Sequence, residues 1–167
     1  MNVCVVYYSK TGKTRKLVEY IKERLKESGI NVNVFLVKPT REYFDKFLHL
    51  NPRILYEALM RKPVELINSD IKLENCDALV ISTPVWWGAA SPPIYSFITK
   101  HTGKYSNPVY CVTTADLNVD YASKLRRELE DMKYNVVDCL SVVDPDKDRD
   151  KLDKLVKEIT EKLQQRS

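Results

Sequence analysis

Residues 3–14 read VCVVYYSKTGKT, an apolar run that ends abruptly in a small, polar turn with one glycine. The run predicts a strand, and the turn is what the strand delivers. Downstream, Arg15 to Ser28 carries apolar residues at Leu17, Val18, Ile21 and Leu25 with mostly charged residues between them, which is the spacing of an amphipathic helix. A strand, a Ser/Thr/Gly turn and a helix start bring backbone N–H groups, hydroxyls and the positive end of a helix dipole to one point. That point suits a phosphate. Ser9, Thr11 and Thr14 would look the same as plain helix caps, so other loops must decide.

The alternation continues outward. Ser28-Gly29 stops the helix, and Val32, Val34, Leu36 and Val37 predict a second strand. ALVIS at 78–82 reads as a strand buried on both faces, and Ser91-Pro92 opens a helix with Ile94, Phe97 and Ile98 inside. Pro108 to Val112 predicts a fourth strand. The polar turn Thr113 to Asn118 follows, then a helix carrying Tyr121, Ala122, Leu125, Leu129 and Met132. Val136 to Val143 is the fifth strand, and Asp144-Pro145 is expected to cap a last helix striped by Leu152, Leu155, Val156, Ile159 and Leu163. Pro39 to Cys76 exceeds what one crossover helix needs. It reads as two helical pieces split at Asn51-Pro52: Thr40 caps the first, Phe44, Phe47 and Leu48 then Ile54, Leu55, Ala58 and Leu59 face a sheet, and a lid or dimer surface is the alternative.

Strands alternating with helices predict one α/β domain over residues 1–167, built on an open parallel sheet with helices on both faces. In such sheets ligands bind beyond the carboxyl ends of the strands, which directs attention to Ser9–Thr14, Thr83–Ala90 and Thr113–Asn118.

A chain of 167 residues with 44% hydrophobic and 30% charged residues has the means to bury a core, which argues against disorder. Its net charge of +4 is spread along helices among acids, so a solvated surface is expected rather than a nucleic-acid interface. Cys4, Cys76, Cys111 and Cys139 stand apart without C-x-x-C spacing, and the expectation is reduced core thiols. Met1-Asn2 runs straight into the first strand, and Pro84, Gly88, Pro92 and Pro93 break the uncharged stretch 78–99, so a cytoplasmic protein outside the membrane is expected. His49 and His101 lie away from the three loops and read as surface residues; no metal ligand set or catalytic acid–base pair stands out.

Trp86 and Trp87 are the only tryptophans, adjacent in a loop at a strand end. Neighbours in extended chain point opposite ways, so one core does not readily take both. A bare indole wastes burial of roughly 150–250 Å² unless a flat partner covers it, and a conjugated ring is a natural partner. The alternative places one indole in the core and the other on a neighbouring helix.

SKTGKT at 9–14 resembles the phosphate turn of the flavodoxin-like fold, and STPVWWGAASPPIYSFI at 82–98 resembles the flavin-ring loop and following helix of the flavodoxin and FMN-dependent NAD(P)H oxidoreductase group. The resemblance implies a three-layer α/β/α sandwich, a five-stranded parallel sheet of order 2-1-3-4-5, and an extra helical insertion between strands 2 and 3. It implies FMN, with NAD(P)H as an electron donor. Ser9, Thr11, Gly12, Lys13 and Thr14 would hold the phosphate, with Lys10 nearby. Thr83, Pro84, Val85, Trp86, Trp87 and Gly88 would line the ring, and Thr114, Ala115 and Asp116 would form the third side. Electron-carrier flavodoxins are typically acidic and place an aromatic in the third loop; this chain is basic and has none within 113–118, Tyr121 coming later. An uncovered ring face favours exchange with a nicotinamide or quinone over a shielded carrier. A small-molecule or protein redox partner is expected, and a homodimer stays open.

Three rivals differ in kind. Gly12-Lys13-Thr14 matches the end of a Walker A motif, but Tyr7 stands at its first glycine and 78–82 ends without a magnesium-binding aspartate. A receiver domain needs an acidic pair where Tyr8-Ser9 stands. A non-catalytic module of the same fold remains the third.

Overall fold

Along β1 (Asn2–Tyr7), Val3, Val5 and Tyr7 face one way, and Cys4 and Val6 the other. Side chains alternate across a strand, and in this one both sets are buried, which places β1 inside a sheet covered on two sides. The computed structural model describes residues 1–43, 52–68 and 70–166. β2 (Asn31–Leu36) and β3 (Ala78–Trp86) flank β1, and β5 (Val109–Thr114) and β6 (Val136–Val142) follow on the far side of β3. All these pairs are parallel, in the order β2-β1-β3-β5-β6. The expected five-stranded order is present. A two-residue strand, β4 (Ala89–Ala90), adds to it by folding back antiparallel on the end of β3.

Helices α1 (Lys13–Glu27) and α5 (Arg149–Gln164) cover one face, where Leu17, Val18, Ile21, Leu25, Leu152, Leu155 and Ile159 meet Val5, Val80, Tyr110 and Val112. Each such aliphatic burial is worth about 1.5–3 kcal/mol, more than a surface ion pair provides. Tyr20 and Arg24 of α1 both reach Asp153 of α5, at 2.8 and 3.0 Å. Gly29 ends α1 at φ 76°, where Ile30 N–H donates to the Leu25 carbonyl at 3.1 Å, a left-handed stop that glycine adopts without strain. The opposite face carries α2 (Pro52–Leu59), α3 (Pro92–Lys100) and α4 (Ala122–Asp131), with Ile54, Ala58, Ile94, Phe97, Leu125 and Leu129 packed on Leu79 and Ile81.

Four expectations change. The cysteines are paired: Cys4 with Cys76 and Cys111 with Cys139, with Cα atoms 5.5 and 4.4 Å apart. Cys111 and Cys139 are direct partners across β5 and β6, a neighbourhood that 28 residues of separation conceal. The expected reduced thiols are absent from these four positions, and disulfides are rare in an ordinary reducing cytosol, which counts against the cytoplasmic expectation. The last helix begins at Arg149 rather than at Pro145; the Asp148 carboxylate first accepts the N–H groups of Val143 and Asp144, at 2.9 and 3.3 Å, and shapes a separate turn. His101 is half-buried, its ring on Phe97 and its two nitrogens against the Phe97 and Ile71 carbonyls. Of the insertion, α2 is its second helical piece; the first piece, with Phe44, Phe47, Leu48 and His49, lies outside the described residues. No helix among the described residues is long and apolar enough to cross a membrane.

Two stability predictions follow from this packing. A denatured sample should show no reactive thiol until reductant is added. Breaking the 72-residue Cys4–Cys76 link should then cost about 4 kcal/mol in urea unfolding by the loop-entropy argument; free thiols in the unreduced protein would refute the pairing. The Tyr110 hydroxyl is buried with no hydrogen-bond partner among the described residues, and burial pushes its pKa up to about 12. Tyr110→Phe should therefore raise stability, by about 1 kcal/mol, and a loss in the same assay would show that the hydroxyl has a partner.

Candidate functional site

The chain leaves β1, β3 and β5 at one edge of the sheet, so the three loops singled out above become neighbours. Lys10, Thr11, Lys13 and Thr14 of the first, Pro84, Val85 and Trp86 of the second, and Thr114, Ala115 and Asp116 of the third line one recess.

At the first loop Gly12 takes φ 93°, a left-handed conformation, and α1 starts immediately after it. The first four N–H groups of a helix have no carbonyl partner within it. Ser9 Oγ accepts the one from Arg15 at 3.2 Å, and Lys16 N–H already reaches the Gly12 carbonyl at 3.0 Å. The N–H groups of residues 12–14 are the donors that this arrangement leaves over. Thr11 and Gly12 are exposed, whereas Thr14 is buried, its hydroxyl 2.8 Å from that of Thr114. Thr14 thus ties the turn to β5. Lys13 spans from the turn to the third loop, its ammonium donating to the Ala115 carbonyl at 3.3 Å and to Asp116 at 2.5 Å. Lys10 lies 3.7 Å from Glu42.

The second loop is a hairpin. Val85 pairs with Ala90 and Trp86 with Ala89, so Trp87 and Gly88 alone make the turn, at φ 52° and 73°. Two consecutive positive φ values match the twist of a two-residue hairpin, and the strain they impose on a bulky residue falls on Trp87. The two indoles part company. Trp86 is 7% exposed and stands edge-on to Tyr8 at 5.6 Å and to Tyr43 at 5.1 Å between centroids, whereas Trp87 is 46% exposed at the tip. Tyr43 is anchored by its hydroxyl on Glu57 at 2.8 Å and by Arg53 over its ring; burial first, then Glu57, holds its phenol far above the usual range. The insertion therefore buttresses Trp86. Thr83 turns away from the recess, its hydroxyl accepting the Ser91 N–H at 3.0 Å, and staples β3 to the start of α3.

Tyr121, read in the sequence as part of the α4 stripe and as lying beyond the third loop, belongs beside the hairpin. A Cβ added to Gly88 would lie 3.9 Å from the Tyr121 ring, and Lys124 donates to the Gly88 carbonyl at 2.6 Å. The α4 start thus brings an aromatic to the hairpin tip. Asp120 fixes that start by accepting the Ser123 N–H at 3.1 Å, and its bonds to Ser123 hold the carboxylate below its ordinary pKa.

The N–H groups of a helix start, a glycine in the left-handed region and the lysines Lys10 and Lys13 lining the recess fit a phosphate monoester. The enclosed part of the recess is about 80 Å³, room for a phosphate-sized group, and a planar ring is left to the rim. A parallel sheet of this order with helices on both faces is the flavodoxin-like fold. A family model described as NADPH-dependent FMN reductase matches residues 1–116, more than half of the chain, and the chain belongs to that family. It is an FMN-binding flavoprotein.

Solved structures agree on the fold. A Lactobacillus acidophilus flavoprotein determined in complex with FMN is 24% identical, with a TM-score of 0.72 over 90% of this chain and 97% of its own. An archaeal flavodoxin is 16% identical, with a TM-score of 0.64 over 98% and 99%. Oxidised flavodoxin 1 from Bacillus cereus is 14% identical, with a TM-score of 0.64 over 96% and 98%. No curated protein matches the chain.

Thr11 is the residue on which to test the phosphate end, since it is exposed whereas a charge at Thr14 would be buried. Thr11→Glu should weaken FMN binding by about 2–4 kcal/mol through like-charge repulsion, with melting temperature unchanged. Flavin fluorescence titration reads this, and an affinity within twofold of the parent would displace the phosphate from this turn.

Proposed function

We propose that the protein is an NAD(P)H-dependent oxidoreductase that reduces its FMN, and through it a flavin or quinone-type acceptor, at the recess formed by the three loops. The observation that carries this reading is their convergence: a phosphate-type turn and an indole-bearing hairpin meet the β5 loop at one sheet edge. Bound FMN supplies the two-electron chemistry. The chain's part is to bind and orient. The N–H groups of residues 12–14 and the ammoniums of Lys10 and Lys13 neutralise the phosphate. Pro84, Val85 and Trp86 wall the near side, and Trp87, with Tyr121 beside Gly88, flanks the rim. Thr114, Ala115 and Asp116 close the third side, with Lys13 withdrawing its ammonium from Asp116 toward the phosphate.

Access supports an enzyme over a shielded carrier. Trp87 is exposed at the hairpin tip, and Leu117 and Val119, which follow the third loop, are exposed as well. A second planar ring can approach there. The basic net charge also differs from that of an acidic carrier that docks on basic partners.

Protein mixed with FMN should show a yellow chromophore with quenched fluorescence, and anaerobic NADH or NADPH should bleach the bound flavin. Unquenched fluorescence at excess FMN refutes flavin binding here. Bleaching by dithionite but by neither nicotinamide assigns the protein as a carrier instead.

A further inference from the structure

The recess is not the only space that opens on the phosphate turn. A groove of about 900 Å³ begins at Thr11, Gly12 and Lys13 and runs between the start of α1 and the turn that joins β6 to α5. Its volume is far beyond what a phosphate monoester fills and lies in the range of sites for whole small ligands. Four ammoniums border it, those of Lys13, Lys16, Lys147 and Lys151. Each is matched by an aspartate: Lys13 by Asp116, Lys16 by Asp146, Lys147 by Asp144 at 4.0 Å, and Lys151 by Asp148 at 2.7 Å. Three of the pairs lie at the surface, and in the fourth an exposed Lys151 meets a mostly buried Asp148; exposed ammoniums of this kind gain little from their pairs and can turn to an anion at small cost. Val143 and Pro145 supply apolar wall, and Asn118 an amide able both to donate and to accept at the edge of a base.

The position of the groove selects its occupant. It starts where the FMN phosphate is held and leads away from the ring-side hairpin. A group attached to flavin mononucleotide through its phosphate is what would continue into it, and that group is adenylate. We propose that the groove receives the adenylyl half of FAD, so that the site takes FAD as well as FMN. The second phosphate runs past Lys16 toward Lys147 and Lys151, the ribose hydroxyls replace the Lys147 ammonium as partner of Asp144, and the adenine lies against Val143 and Pro145. This inference rests on the phosphate turn being the flavin phosphate site.

Calorimetric titration of flavin-free protein with FMN and with FAD tests it, on the parent and on Lys147→Gln/Lys151→Gln. Both lysines are remote from the recess, so FMN affinity reports that the variant is folded. FAD should bind the parent at least as tightly as FMN. The double substitution should weaken FAD roughly tenfold and leave FMN within about twofold. FMN binding with FAD rejected, or equal losses for both flavins, overturns the proposal and leaves the FMN site intact. Failure of the parent to bind either flavin overturns both readings. A raised KM for NADPH with FAD affinity unchanged assigns the groove to the nicotinamide dinucleotide and refutes the FAD assignment.

Discussion

The arrangement depends on parallel pairing of β1 with β3, in which Tyr7 lies opposite Ser82. Parallel strands need crossovers, and a crossover returns the chain to the same edge, so every strand ends where its neighbour ends. Here the crossovers diverge. The helix after β1 packs on one face of the sheet and the helix after β3 on the other. Between two diverging helix starts a crevice is unavoidable, and its walls are whatever the chain places just beyond Tyr7 and Thr83. The pairing fixes where a ligand sits; the loops fix which ligand.

Much of this was legible because one-dimensional signals carry it. The Leu17-Val18-Ile21-Leu25 stripe and the uncharged run 78–82 report burial directly, and strand–helix alternation leaves few topologies. Lys10, Thr11, Lys13, Thr14, Pro84 to Trp86 and Thr114 to Asp116, grouped on resemblance, share one recess. What escaped reading depends on contacts between distant segments or on single dihedrals. The hairpin turn at Trp87-Gly88 carries no Asn-Gly signal, because an indole stands at a left-handed position that such turns usually give to a small residue. Tyr121 reaches Gly88 only because α4 begins where Asp120 caps it. The two cysteine pairs are invisible until strand neighbours are known. The alternative reading of the tryptophans proved half right: one indole does enter the core, held there by Tyr43 of the insertion, while the other is left at the rim.

Charge is organised differently on the two sides of the phosphate turn. On the recess side the fixed partial charges of the N–H groups at the helix start need no rearrangement to meet an anion. On the groove side the cations are mobile side chains already occupied by aspartates, so any anion must compete for them, and salt will weaken that competition. The turn thus joins a preorganised half-site to an adaptable one.

The disulfide between Cys111 and Cys139 bears on that adaptable half. The terminal β6–α5 unit is held by one neighbouring strand and by helix packing, the kind of segment that opens first in native-state fluctuations. A covalent tie at the middle of the β5–β6 ladder makes β6 unable to peel without β5, which lies between β3 and β6 at the interior of the sheet. The β6–α5 turn, and the lysines beside it, are carried on that tethered unit. The same covalent tie that joins two strands of the sheet thus also anchors one wall of the groove.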